Sequence, residues 1–84
     1  MNNEKAIIIF NMVHKKISVD LEVPLDISAN ELVTALNTAY NLEIDTTNIK
    51  NCYLKAEKPI ALLRGNKTLG EFGIRNGSII NYTE

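Results

Sequence analysis

The segment that most limits what this chain can become is Lys67-Thr-Leu-Gly-Glu-Phe-Gly-Ile-Arg-Asn-Gly-Ser-Ile-Ile-Asn-Tyr82. Leu69, Phe72 and Ile74 are spaced as anchors of one short helical turn, Asn76-Gly77 reads as a turn needing positive φ, and Ile80 and Tyr82 alternate as strand residues do. A compact turn that feeds a final strand predicts a small closed α+β domain. It carries no sign of an active site.

The length agrees with that expectation. The chain has 84 residues, which is one domain (1–84) with a radius of gyration of about 12 Å that buries roughly 60 to 65% of its unfolded surface. One modest core follows, without room for a deep cleft between domains. Nine basic and ten acidic residues leave a net charge of −1. Nucleic acid is therefore not expected as the main partner, since phosphate binding rests on a basic face. The longest apolar run, Ala6-Ile-Ile-Ile-Phe10, is too short for a membrane span or a secretory signal. A cytoplasmic protein without direct membrane insertion is expected. The lone cysteine, Cys52, and the lone histidine, His14, make neither an internal disulfide nor a metal site by themselves. Cys52 reads as a small buried strand residue and His14 as a solvated turn residue. No metal or cofactor is expected.

Taken in order, Met1 to Lys5 is a polar, frayed start, and Ala6 to Val13 is a strand. Pointing Ile8, Phe10 and Met12 inward buries no unpaired amide and leaves Ile7 and Ile9 outside; the opposite register would bury Asn11. After the break at His14-Lys15-Lys16, Ile17, Val19, Leu21 and Val23 alternate inward against Ser18, Asp20 and Glu22, giving an antiparallel hairpin closed by Pro24. Ser28 with Glu31 forms a capping box and Ile27 with Leu32 a hydrophobic staple, so a helix begins here and runs to about Tyr40. Its predicted apolar stripe is Ala29, Leu32, Val33, Leu36, Ala39 and Tyr40, with Asn30, Thr34, Asn37 and Thr38 on the wet side. Asn41 suits a left-handed cap, with Leu42 folding back. Leu42, Ile44 and Ile49 are expected to plug the open end of the core, around an Asp45-Thr-Thr-Asn48 turn.

Asn51 to Glu57 reads as a third strand, with Cys52 and Leu54 on one face and Tyr53 and Lys55 on the other. Lys58-Pro59 breaks it, Ile60 to Leu63 forms a short fourth strand, and Arg64-Gly-Asn-Lys67 is a turn. Gly65-Asn-Lys-Thr68 superficially resembles the end of a phosphate-binding loop but lacks its upstream glycine, its Gly-Lys pair and its long helix. The order of strand, strand, helix, strand, short strand, tight 3-10 turn, strand is that of a β-grasp: a mixed sheet of four to five strands curled on one helix.

The hairpin up to Leu21-Glu-Val23, the helix following Pro24, and Thr68-Leu-Gly-Glu-Phe-Gly-Ile74 with its closing strand resemble ubiquitin and its relatives. Val19-Asp-Leu-Glu-Val-Pro24 and Gly73-Ile-Arg-Asn-Gly-Ser-Ile-Ile80 are similar to the YukD/EsaB family, small ubiquitin-like proteins associated with type VII (ESX-like, WXG100) secretion systems. The resemblance implies a non-catalytic protein-interaction module and a secretion-system component as partner. Ubiquitin-type modifiers and sulfur carriers end in an exposed Gly-Gly, whereas this sequence ends Asn81-Tyr-Thr-Glu84, so conjugation is not expected.

If the alternations hold, Tyr53 and Lys55 face outward on the third strand and Ile79 and Asn81 on the fifth, where the ubiquitin fold carries its main binding patch. Ile7 and Ile9 extend this candidate protein-binding face, whose mixed apolar and polar character is typical of interfaces. The competing explanation is ordinary exposed hydrophobes, which monomers tolerate singly. A homo-oligomer, paired through the apolar outer face of the first strand or a sheet edge, is the alternative function. An enzyme or carrier would need a nucleophile with its base, paired carboxylates or metal ligands, and the sequence offers none of these groupings.

Overall fold

The computed structural model describes residues 4–48 and 50–83. Within them the elements run β1 (Lys5–Met12), β2 (Ile17–Pro24), α1 (Ala29–Tyr40), β3 (Leu54–Glu57), β4 (Ala61–Leu63) and β5 (Ile79–Tyr82). They form a five-stranded sheet in the order β2-β1-β5-β3-β4. β1 pairs antiparallel with β2 and parallel with β5, while β3 pairs antiparallel with both β4 and β5, so the sheet is mixed, as expected of a β-grasp.

The register of β1 is the one that avoids burying Asn11. Ile8, Phe10 and Met12 are buried, and Ile7 is 54% exposed on the opposite face. The core closes these side chains against Ala29, Leu32, Val33 and Leu36 of α1 and against Leu54, Leu63, Leu69, Ile74 and Ile80. Tyr40 completes the helical stripe by stacking obliquely on Phe10 at 5.5 Å. Ala39 does not belong to the stripe: it lies at the margin of the buried arc and is exposed.

α1 begins as its capping box dictates. Ser28 Oγ accepts from Glu31 N–H, and Glu31 Oε1 accepts from Ser28 N–H at 2.8 Å. The first N–H groups of the helix, normally orphans, donate to carbonyls of the 65–67 loop: Ala29 to Lys67 O at 2.9 Å and Asn30 to Gly65 O at 3.0 Å. Carbonyl oxygens thus occupy the positions where a bound phosphate would sit, so Gly65-Asn-Lys-Thr68 is a helix clasp. At the other end Asn41 has φ 54°, and Leu42 folds back until it is 3% exposed.

Several boundaries differ from the sequence expectation. Lys5 is not frayed; it pairs with Pro24 in β1. Met1 to Asn3, also expected to be frayed, and Ile49, expected as a core plug, lie outside the described residues. Val13 to Lys15 wind into a 3-10 turn instead of extending the strand or making a plain hairpin loop. Ile17, expected inward, is 43% exposed because it opens the edge strand β2 beside the 3-10 turn, whereas Met12 opposite it is shielded between β2 and β5 and Val23 at the other end of β2 is buried. The third strand starts only at Leu54, since Asn51 and Cys52 donate to Asn48 O and Tyr53 to Asn51 O. Ile60 stands in the turn before β4 and is 91% exposed.

The tight turn after β4 mixes bond types: Phe72 N–H is shared between Leu69 O and Thr68 O, Gly73 N–H donates to Gly70 O in 3-10 fashion, and Ile74 N–H reaches back to Leu69 O, so it is a compact turn and not the regular 3-10 turn expected. Thr68 and Glu71 form a second reciprocal cap on it. Asn30 and Asn37, assigned to the wet side of the helix, are structural. Asn30 Oδ1 accepts from Gly65 N–H at 3.0 Å, and Asn37 grips both the N–H and the carbonyl of Ile44.

Candidate protein-binding face

Directly paired residues on neighbouring strands share a face of the sheet. The pairings therefore assemble the face away from α1 in rows. Asp20, Ile9, Ile79 and Glu57 form one row across β2, β1, β5 and β3. Ser18, Asn11, Asn81, Lys55 and Leu62 form the next, reaching β4. Ile7 and Glu22 pair beyond the first row. All the candidate residues on named strands, Ile7, Ile9, Lys55, Ile79 and Asn81, thus lie on one face. Tyr53, two residues before Lys55, is half-buried at its end.

The face divides into two neighbouring regions. Ile7, Ile9 and Ile79 form the apolar one. Ile7 is the most exposed of the three, at 54%, and Ile9 and Ile79 are half-buried. Gly77 N–H donates to Ile7 O and Ile7 N–H donates to Asn76 Oδ1 at 2.8 Å, so the β5 side of this isoleucine is flanked by the Asn76 amide and by a glycine whose Cβ, if present, would meet nothing within 4 Å. Its φ of +88° suits glycine and confirms the predicted Asn76-Gly77 turn.

The second region is a shallow groove of about 620 Å³ where the α1–β3 connection meets β3 and β5; Tyr53, Lys55 and Asn81 line it with Glu43 and Asp45. Asn81 is less available than its position suggests. Its carbonyl oxygen accepts from Asn11 Nδ2 at 2.9 Å, and its own Nδ2 donates to Glu57 Oε2 at 2.6 Å. This polar bridge across three strands separates the apolar region from the groove. Sequence reading missed Asn11, Glu57 and Leu62 as members of the face. Period-2 alternation marks each as outward, but only the strand order makes them neighbours.

Ser78 supports the face from below. It is fully buried; its Oγ donates to Lys58 O at 2.7 Å and accepts from Arg75 N–H at 3.0 Å. The turn leading into β5 is thereby tied to the turn leaving β3, which sets the height of Ile79 against Glu57.

The reactive side chains are engaged elsewhere. Cys52 is 5% exposed, its Sγ 3.9 Å from Asn30 Oδ1, and burial pushes its thiol above the ordinary value, with the negative charge of Asp45 adding to the effect. A protonated, enclosed thiol is a poor nucleophile. His14 is exposed in the 3-10 turn, its Nε2 3.2 Å from Thr83 O. Asp45 is held below the ordinary carboxylate value by the Thr47 hydroxyl and N–H, and Glu71 by the N–H and hydroxyl of Thr68. Both are turn and cap carboxylates. Among the described residues, no group of three or more His, Cys, Asp or Glu side chains could hold a metal ion, and no helix is long and apolar enough to cross a membrane.

Comparison with solved structures finds the C-terminal ubiquitin-like domain of mouse tubulin-specific chaperone e, with a TM-score of 0.70 over 100% of this chain and 92% of that one. At 7% identity this likeness concerns the fold alone, which is ubiquitin-like. No curated protein sequence matches. The family model described as "WXG100 protein secretion system (Wss), protein YukD" matches residues 7–81, from the first exposed isoleucine of β1 to the bridging asparagine of β5. By that match over nearly its whole length, the chain belongs to the YukD family of the WXG100 secretion system.

Proposed function

We propose that this protein is a non-catalytic interaction module, an accessory or regulatory component of a type VII-like secretion system. It acts in the cytoplasm by docking the outer face of its sheet on a protein component of that apparatus. The observation that carries this reading is the adjacency of Ile7, Ile9 and Ile79 on the face opposite α1, in a member of a secretion-system family. β-branched side chains that are not needed for the core are costly to leave in water and gain on contact with an apolar surface. A non-catalytic role is supported by what the chemically capable groups do: Cys52 is enclosed, and Asp45, Glu31 and Glu71 cap or bind backbone.

The test is capture from the native cytoplasm of cells that carry such a system, with wild type beside an Ile7→Ser/Ile79→Ala variant whose fold is checked by circular dichroism. Recovery of a secretion-system component by wild type alone is the expected result. Equal recovery by both proteins would exclude the face, and recovery of no such component would exclude the role.

A further inference from the structure

The charges around the isoleucines narrow what can dock there. Each isoleucine of the apolar region has a carboxylate directly across the strand pair: Glu22 beside Ile7, Asp20 beside Ile9 and Glu57 beside Ile79. The central row therefore reads acid, isoleucine, isoleucine, acid over four strands. Glu57 is held in place by the Asn81 amide at 2.6 Å, while Asp20 and Glu22 are exposed on the edge strand β2. Of the cationic side chains of the sheet, Lys5 stands on the same face beyond Ile7 at the start of β1, while Lys55 lies in the next row on the other side and Lys58 in the turn after β3.

An apolar strip bounded on both sides by carboxylates is complementary to an aliphatic stripe flanked on both sides by lysine or arginine. Glu22, Asp20 and Glu57 outweigh Lys5 around the isoleucines, so the rim disfavours phosphates, and an acidic-flanked helix would set like charges against one another.

Resting on the docking role proposed above, we infer that the partner presents a basic amphipathic protein segment: aliphatic side chains seat on Ile7, Ile9 and Ile79 while its Lys or Arg residues meet Asp20 and Glu22 on one side and Glu57 on the other. The apolar contact supplies most of the affinity. The rim fixes orientation and excludes acidic surfaces, each solvent-exposed pair being worth about twofold to fivefold in affinity.

The experiment is an amide chemical-shift titration of the whole protein with two synthetic helical peptides of equal length and identical leucine stripe, one flanked by lysines and the other by glutamates. The lysine peptide should bind about tenfold more tightly, with the largest shifts centred on Ile7, Ile9 and Ile79, and should weaken as salt is raised. An Asp20→Lys/Glu22→Lys variant, altered only at exposed positions, should lose that preference. Equal affinity for the two peptides, or an unchanged preference in the variant, would overturn the charge inference while leaving the docking face standing. Binding of neither peptide, or shifts centred elsewhere, would overturn it as well. So would shifts of the isoleucine amides with protein concentration alone, since they would make a second copy, offering exposed Leu62 and Ile60 beside Lys55, the occupant.

Discussion

Replacing Ser78 by alanine removes one oxygen from a fully enclosed position and should destabilise the protein out of proportion to its size. The Ser78 hydroxyl satisfies two backbone groups, donating to Lys58 O at 2.7 Å and accepting from Arg75 N–H at 3.0 Å. Alanine fits the space but leaves a carbonyl and an N–H without their partner, at a cost of about 1–3 kcal/mol for each group that water cannot reach. Lys58 and Arg75 are themselves exposed residues, so partial hydration brings the sum toward the lower end, about 2 kcal/mol. In a domain of this size that corresponds to a fall in Tm of about 8–16 °C. With a slope near about 1 kcal/mol/M, the urea midpoint should drop by about 2 M. Equilibrium urea unfolding followed by far-ultraviolet circular dichroism measures this directly. Lys58→Ala and Arg75→Ala keep the backbone partners and should stay within about 0.5 kcal/mol of wild type. A Ser78→Ala loss no larger than those controls would refute the account of Ser78 as the tie between the two turns.

Other perturbations probe the remaining supports. Asn37→Ala breaks both bonds of the side-chain amide to Ile44 and should cost about 1–2 kcal/mol by urea unfolding, whereas Thr34→Ala on the exposed helix face should be nearly silent. The carboxyls of Asp45 and Glu71 are depressed in the folded state, so their contribution is present above the ordinary carboxylate range, near about pH 4, and lost as pH falls through their lowered folded values. An Asp45→Asn/Glu71→Gln variant should accordingly show a shallower loss of stability between neutral pH and acid than wild type. Cys52, enclosed and with its thiol pushed up, should react with an aromatic disulfide reagent at mildly alkaline pH only as fast as the protein opens, and within seconds once urea unfolds it.

What sequence reading recovered was information held locally. Ser28 and Glu31 are three residues apart and cap each other; Ile8, Phe10 and Met12 declare their face by alternation alone. Thr68 and Glu71 carry the same Ser/Thr-x-x-Glu spacing, and in the structure they cap the tight turn reciprocally. What was not legible depended on elements distant in the chain. An asparagine on a helix surface looks wet from its spacing, and only the loops beyond residues 43 and 64 turn Asn37 and Asn30 into clasps. Ile17 shares the alternation of Val23 on the same edge strand, yet Val23 is 5% exposed and Ile17 43%, because Ile17 opens β2 beside the 3-10 turn at the margin of the core. The candidate face divides the same way: the outward direction of Ile7, Ile9, Lys55 and Ile79 follows from periodicity. The acidic partner of each isoleucine follows from strand order, which periodicity does not encode.

The place of β5 between β1 and β3 has a consequence for timing. Two hairpins, β1–β2 and β3–β4, close over short loops, but the strand that joins them is made last, and its first bridge in the sheet, Ile9 to Ile79, spans 70 residues of chain. β5 can add to β3 over a short stretch of chain, but the inner face of the β1–β2 hairpin waits unjoined until the long loop between β1 and β5 closes. The two isoleucines at the centre of the outer face come from the earliest and the latest strands. A partner that requires both at once can recognise the protein only after its sheet is complete, so a nascent or truncated chain would pass unrecognised.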